Sequence, residues 1–470
     1  MSAPTAPYAA WMQDDDFDLL DRAIAGRVIR PESPEFDAVR RTFNGMIDRR
    51  PAAVAVCQTT SDVVAAVRAA VAAGLPVSVR GGAHSVAGHA VGAGALVIDL
   101  REMRSVTVDV PARRARAAGG ALWEDLDGAT VAHGLATTGG TFVDTGIGGL
   151  TLSGGIGFLM GTAGLTCDNL LRAEVVTADG SVVIAGEDGD PELLWALRGG
   201  GGNFGVVTEF EYGLHALGPL HVGRFAVPLA EAAAGLRAAA ALAREAPREL
   251  VLFVVGPTTR ERPVDGIEAG PSDHVRIAAI YQGSLDDARA VVTPLTTIPG
   301  VSGDLVAMTY PELQASSGIL PFGLRHYWKG HFLRDLEGAA IDAVVDGMGV
   351  AGAAHSFMLM EAMTGKARVE PSGGAAFGQR EARWNVTALG IWEDPKDDAV
   401  QIAWARRVAD ALSPLSLTGA GYGNYAPADE TAARVQASFG AERFARLRAV
   451  KRRYDPTNVF RFNHNIPPAD

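Results

Sequence analysis

The sequence predicts an α+β protein of two domains. Three observations predict it. The chain has 470 residues, more than the ~250–300 that one hydrophobic core usually supports. Residues 1–215 read as short strands and helices separated by dense glycine. Residues 216–414 change character and read as longer strands with helices between them.

In the first part, Ser61 to Gly74 has helical spacing, with Val63, Val64, Val67 and Ala70 on one face and Gly74 as C-cap. Pro76 to Arg80 follows as a strand, then a loop of small residues, then a buried strand from Ala95 to Leu100. Further on, a helix over Pro191–Leu197 precedes a strand over Val206–Tyr212. In the second part the expected strands are 221–227, 251–255, 275–282, 355–361 and 384–392. Helical stretches at 229–245, 284–293, 335–348 and 396–412 lie between them. This mixture of hairpins and crossovers predicts an antiparallel sheet backed by helices.

Composition narrows the function. With 48% hydrophobic and 20% charged residues, the chain has the profile of a soluble globular protein. A net charge of −12 argues against charge-driven nucleic-acid binding. Two cysteines, Cys57 and Cys167, leave no disulfide framework, redox pair or cysteine-rich zinc site, and no metal is expected. The stretch Met1 to Leu20 carries Asp14, Asp15, Asp16 and Asp18 and lacks the basic and apolar regions of a signal peptide. No apolar run approaches the ~18 residues of a membrane span. A cytoplasmic protein with no nucleic-acid or membrane partner is expected, and the composition defines no oligomeric state.

Glycine is in excess, at 56 residues, and it is clustered. The segment 81–94 holds Gly81, Gly82, Gly88, Gly92 and Gly94. Its successive N–H groups suit a diphosphate. Read from the loop alone, His84 is a histidine hydrogen-bonded in a tight turn. The segment 139–164 is too glycine-rich for a helix interior, and a large flat ligand lying along the backbone explains it better than turns do. The third, 199–205, contains Gly200-x-Gly202-x-x-Gly205. A dinucleotide fingerprint must follow a strand and open a helix. Here a helix precedes and a strand follows, so a Rossmann nicotinamide site is rejected.

Four stretches together resemble the covalent flavoprotein oxidases of the berberine bridge enzyme-like group, within the vanillyl-alcohol oxidase (PCMH-type) fold family; the bacterial hydroxynicotine oxidases are most similar in layout. They are Val79–Gly88; Gly146–Gly157 with Gly164–Asn169; Leu194–Thr208; and Tyr454–Ile466. The resemblance implies a discontinuous FAD-binding domain, 1–215 completed by 415–470, around a substrate domain at 216–414. It implies an enzyme, an FAD-linked oxidase, with a single covalent link from His84 to the 8α carbon of the flavin. Ala83 stands where many relatives have Gly. A second bond from Cys167 is declined, because the doubly linked relatives carry their cysteine nearer the position of Phe142. Arg80, Gly81, Gly82, Ala83, Ser85, Gly88 and His89 are implied around the diphosphate and ring edge. Thr145, Gly146, Gly149, Leu150, Ser153, Gly154 and Gly155 are implied beside the flavin. Val207 falls on the adenine side, and Asn463 and Asn465 close over the ring. Asp99 and Asp168 read as structural.

The implied reaction takes hydride from a C–H bond of a small alcohol, sugar or amine, with oxygen as electron acceptor and hydrogen peroxide as product. It needs a base working near pH 7. The candidates are Glu361, at a strand end, and Tyr422 and Tyr425 in the segment 421–425. Gln379 stands where relatives often have a histidine and cannot titrate. His326, Tyr327 and Trp328 form a polar-aromatic group suited to a pocket wall. Leu150 to Leu152 are the expected oxygen gate. A dehydrogenase using another acceptor, or a flavin-free binding protein, is the alternative.

Overall fold

In the computed structural model, residues 14–257, 273–318, 321–349 and 355–470 are described. Residues 1–13, most of the stretch weighed above as a signal peptide, lie outside them. Three main sheets organise these residues. A four-stranded sheet orders Arg27–Ile29, Ala53–Val56, Leu96–Asp99 and Val77–Arg80, with its last three strands parallel. The helix Thr60–Ala72 crosses between two of these strands. A capping box of Thr59 and Asp62 starts it, and Gly74, at φ +66°, ends it. A five-stranded antiparallel sheet orders Val106–Asp109, Arg114–Ala118, Val206–Gly213, Leu170–Val176 and Val182–Gly186.

The third sheet is antiparallel and seven-stranded. Its order is Ser302–Met308, Leu220–Pro228, His274–Gln282, Leu250–Val255, Phe357–Ala362, Trp384–Trp392, Arg325–Leu333. Side chains alternate across its plane. Val227, Leu252, Ile277, Met360 and Val386 enter a core shared with the helices Ala232–Glu245, Leu285–Thr296, Ala339–Met348 and Asp398–Leu412. Leu359, Glu361, Phe253 and Leu389 fall on the other face, which is left to the site.

In this sheet two strands escape the sequence reading. Ser302–Met308 is an exposed edge with no buried stripe. Arg325–Leu333 buries two histidines, and polar residues in a buried strand mask its periodicity. One expectation is corrected: Ile147–Leu152, inside the second glycine cluster, is helical. Tertiary contacts override propensity here. Thr151 Oγ1 donates to the Ile147 carbonyl at 2.7 Å and lies 2.7 Å from Tyr212 Oη. The Gly201 N–H caps the Leu152 carbonyl at 2.8 Å.

Candidate active site

A cavity of about 810 Å³ lies between the glycine segments and the face of the seven-stranded sheet opposite its four core helices, within the ~300–1,000 Å³ of ligand pockets. Its first wall is backbone. Gly81 and Gly82 leave the end of the Val77–Arg80 strand, and Gly146 opens the Ile147–Leu152 helix. Gly82 and Gly146 pass so closely that a Cβ on Gly82 would stand 2.8 Å from the Gly146 Cα. Gly199–Gly202 add a third stretch. The C-terminal tail is stapled on by Asn203, whose Nδ2 donates to the His464 carbonyl at 3.3 Å and whose Oδ1 accepts from Ile466 N–H at 3.0 Å.

This wall fits FAD. Where a Cβ would stand at Gly149 or Gly202 there is nothing within 4 Å, so the backbone lies open to the cavity. On this wall, the buried His89 Nε2 and Asn463 Oδ1 have no hydrogen-bond partner among the described residues. A flat, diphosphate-bearing ligand along the glycines would satisfy both needs.

His84 stands at the edge of this wall. Its backbone is aimed by Ala83, held at φ +58°, a left-handed conformation that costs an alanine roughly 1–2 kcal/mol. The imidazole stacks on Phe43 at 4.9 Å between ring centres, and the far face of Phe43 stacks on His326 at 4.2 Å. His84 Nε2 lies 3.0 Å from Asp144 Oδ2. Asn44 ties the loop to the sheet: its Nδ2 donates to the carbonyls of Val86 and His326, and its Oδ1 accepts the His326 N–H.

The second wall is made of side chains. Glu361 is buried at 1% exposure and lines the cavity. Asn385 Nδ2 donates to its Oε2 at 2.6 Å, and Tyr425 Oη donates to its Oε1 at 2.9 Å. Burial pushes the carboxyl up to about 7 against the pull of these two donors. Burial, with Glu361 alongside, also pushes the Tyr425 phenol up. Around them stand the apolar Trp328, Phe357, Leu359, Leu389 and Phe253, while Arg224, His274 and Arg276 line the cavity from the strands Leu220–Pro228 and His274–Gln282.

Most sequence-named residues meet here. Gly81, Gly82, Ala83, His84, Ser85 and His89 line the cavity. So do Thr145, Gly146, Gly149, Leu150, Ser153, Val207 and Asn463. Others stand behind it. Arg80 is tied up: its guanidinium donates to the Val39 and Arg41 carbonyls at 2.7 Å each and lies 3.5 Å from Asp99. Gly88 packs on Ile47, Gly154 on Phe377 and Gly155 on Thr166. Asn465 is likewise outside the lining. Tyr422 separates from Tyr425: its Oη accepts the N–H groups of Gly155 (2.8 Å) and Ile156 (3.1 Å), so it braces the glycine wall.

Cys167 is fully buried off the cavity, its thiol pushed up by burial. Phe142 does line it. Asp168 binds Arg380, with Nη1 at 2.9 Å from Oδ2. Of the polar-aromatic group, Trp328 lines the cavity, His326 lies behind Phe43, and Tyr327 turns to the other core. The sequence reading missed Phe43, Asp144 and Asn385, which carry no motif. It also missed that the third glycine cluster lines the same cavity. Counting its clustered glycines with the other two, apart from the failed fingerprint, would have found it.

A fold that lays glycine backbone along one side of an elongated cavity and a sheet along the other defines a flavoprotein of the PCMH type. Residues 51–186 match the family described as FAD binding domain, and residues 421–467 match Berberine and berberine like. (R)-6-Hydroxynicotine oxidase of Paenarthrobacter nicotinovorans is 33% identical over 465 residues, covering 95% of this chain and 97% of that one. The crystal structure of 6-hydroxy-D-nicotine oxidase from Arthrobacter nicotinovorans superposes with a TM-score of 0.82 at 30% identity, covering 95% of this chain and 98% of that one. Glucooligosaccharide oxidase of Sarocladium strictum is 37% identical over 220 residues, 45% of this chain and 43% of that one. The chain belongs to the berberine bridge enzyme-like family of FAD-linked oxidoreductases, and it is an enzyme.

Proposed function

We propose that the protein is an oxidase that holds FAD through a single bond from His84 and acts on a small amine or alcohol with an apolar or aromatic body. The observation that carries this reading is the buried Glu361–Tyr425 pair, in one cavity with His84 and the glycine wall. When bound, FAD accepts a hydride from a carbon next to nitrogen or oxygen and passes the electrons to oxygen, giving hydrogen peroxide.

The protein's own residues supply the proton chemistry. A substrate N–H or O–H placed against Tyr425 Oη gives its proton to that oxygen as the phenol proton moves to Glu361 Oε1. Burial opposes a free phenolate, so the two transfers are concerted. A carboxyl held near 7 is matched to accepting a proton near neutrality. Trp328, Phe357, Leu359 and Leu389 exclude water and favour an apolar body over an oligosaccharide, whose many hydroxyls they would leave unpaired. The hydroxynicotine oxidase relative agrees in class. Leu150, on the lining, would gate oxygen.

Peroxide release across cyclic amines, secondary alcohols and sugars tests the substrate. Activity confined to sugars would sink the amine or alcohol reading. Acid precipitation tests the link: a yellow pellet is expected, and a colourless pellet under a yellow supernatant would remove the covalent bond.

A further inference from the structure

We propose that Asp144 is a positioning residue for flavin attachment: it fixes the proton of His84 on Nε2, so that Nδ1 is the nitrogen that bonds to the cofactor. The inference rests on the His84 link proposed above and names the residue that orients it.

The geometry is specific. His84 Nε2 and Asp144 Oδ2 are 3.0 Å apart, with both side chains largely shielded. A carboxylate oxygen only accepts, so Nε2 must carry the hydrogen. In a neutral imidazole the other nitrogen then holds the lone pair. His84 Nδ1 has no hydrogen bond among the described residues, and the residue lines the cavity. The ring cannot readily turn over to exchange its nitrogens, because Phe43 stacks on its face and Phe322 meets it edge-on at 5.2 Å. Asp144 lies in the turn just before Gly146, whose backbone abuts Gly82, so the glycine contact sets the spacing between Asp144 and the His84 loop. Asp144 Oδ1 is buried and has no hydrogen-bond partner among the described residues. Nothing else engages the carboxyl, as expected for a group placed to serve one imidazole.

The step balances as follows. A bond forms between His84 Nδ1 and the 8α carbon, and one C–H bond of that carbon breaks. The Nε2 proton passes through Asp144. Two protons and two electrons leave in all, and dioxygen takes them as hydrogen peroxide. Without Asp144 the imidazole distributes its proton over both nitrogens, and the reactive lone pair is no longer held at Nδ1.

The test compares wild type, Asp144→Asn, Asp144→Ala and His84→Ala purified with FAD. The readouts are intact mass, flavin fluorescence of the denatured chain, and total FAD per chain. Wild type should carry the flavin mass through denaturation, and His84→Ala should release it all. The Asp144→Ala variant should hold FAD but incorporate it covalently about 10–100-fold more slowly, by analogy with the loss of the partner that orients a metal-ligating histidine. Wild type that releases its flavin would overturn the His84 link itself. Wild type and Asp144→Ala incorporating flavin covalently at equal rates would overturn the role of Asp144 alone, the amide of Asp144→Asn still being able to accept from Nε2. Should the variants fail to fold, the His84 tautomer of wild type prepared without flavin, read from ¹⁵N shifts of labelled histidine, decides: a proton on Nε2 supports the assignment, and a proton on Nδ1 overturns it.

Discussion

The two walls of the cavity are built in opposite ways. The glycine wall is backbone held at close approach, in segments joined by main-chain contacts such as Gly82 against Gly146. The sheet wall is a set of side chains projecting from strands whose backbone is satisfied in the ladder. A wall of backbone is generic: it offers N–H groups and room, which suits a cofactor. A wall of side chains is particular: it sets one buried carboxyl, Glu361, in a mainly apolar stretch with arginines farther along the sheet, which suits discrimination of a substrate. The difference teaches where each wall tolerates change. Substituting the sheet wall should alter turnover and leave the cofactor in place, and substituting the glycine wall should lower FAD occupancy while turnover per bound FAD is kept.

The largest expected effect lies on the sheet wall. Glu361→Gln and Tyr425→Phe should each lower kcat/KM by about 10²–10⁴, with FAD per chain unchanged. The carboxyl must be ionised to take a proton, so wild-type kcat/KM should rise as pH increases through about 7. Glu361→Gln should flatten that rise. A variant that loses its FAD instead would break the division between the walls.

On the other wall, Gly82→Ala drives a methyl into the Gly146 backbone. An overpacking cost of about 1–3 kcal/mol is expected, read as a lower melting temperature together with lost FAD. Tyr422→Phe leaves the N–H groups of Gly155 and Ile156 without their acceptor. It should cost about 1–3 kcal/mol of stability while the pH profile keeps its midpoint, which separates this brace from Tyr425. The smallest effect is a gain. Ala83→Gly relieves the left-handed strain at φ +58° and should stabilise by roughly 0.5–1 kcal/mol after the added freedom of the unfolded chain is subtracted, measured in urea.

How much was legible follows the same division. The strands Leu220–Pro228 and His274–Gln282 were readable because alternation marks a half-buried strand, and Trp384–Trp392, buried throughout, because it is rich in β-branched and aromatic residues. Arg325–Leu333 was not, because its buried histidines are satisfied or enclosed only by partners distant in sequence. Glycine in the helix Ile147–Leu152 misled, because Tyr212 and Gly201 hold that turn from outside it. Tyr422 and Tyr425 are indistinguishable in sequence, three residues apart in one segment. The fold turns one hydroxyl to the glycine backbone and the other to Glu361.

The sequence by itself determined the cofactor side. Close approach and left-handed backbone are local demands that only particular residues meet, so they are written where they act, in the glycine clusters and the His84 loop. Tertiary structure alone decided the chemistry of the other side. Burial raises the Glu361 carboxyl to about 7, and its two donors come from positions 24 and 64 residues away. Asp144 reaches His84 from 60 residues away. Desolvation and hydrogen bonding depend on what surrounds a group in space, and no local pattern records that.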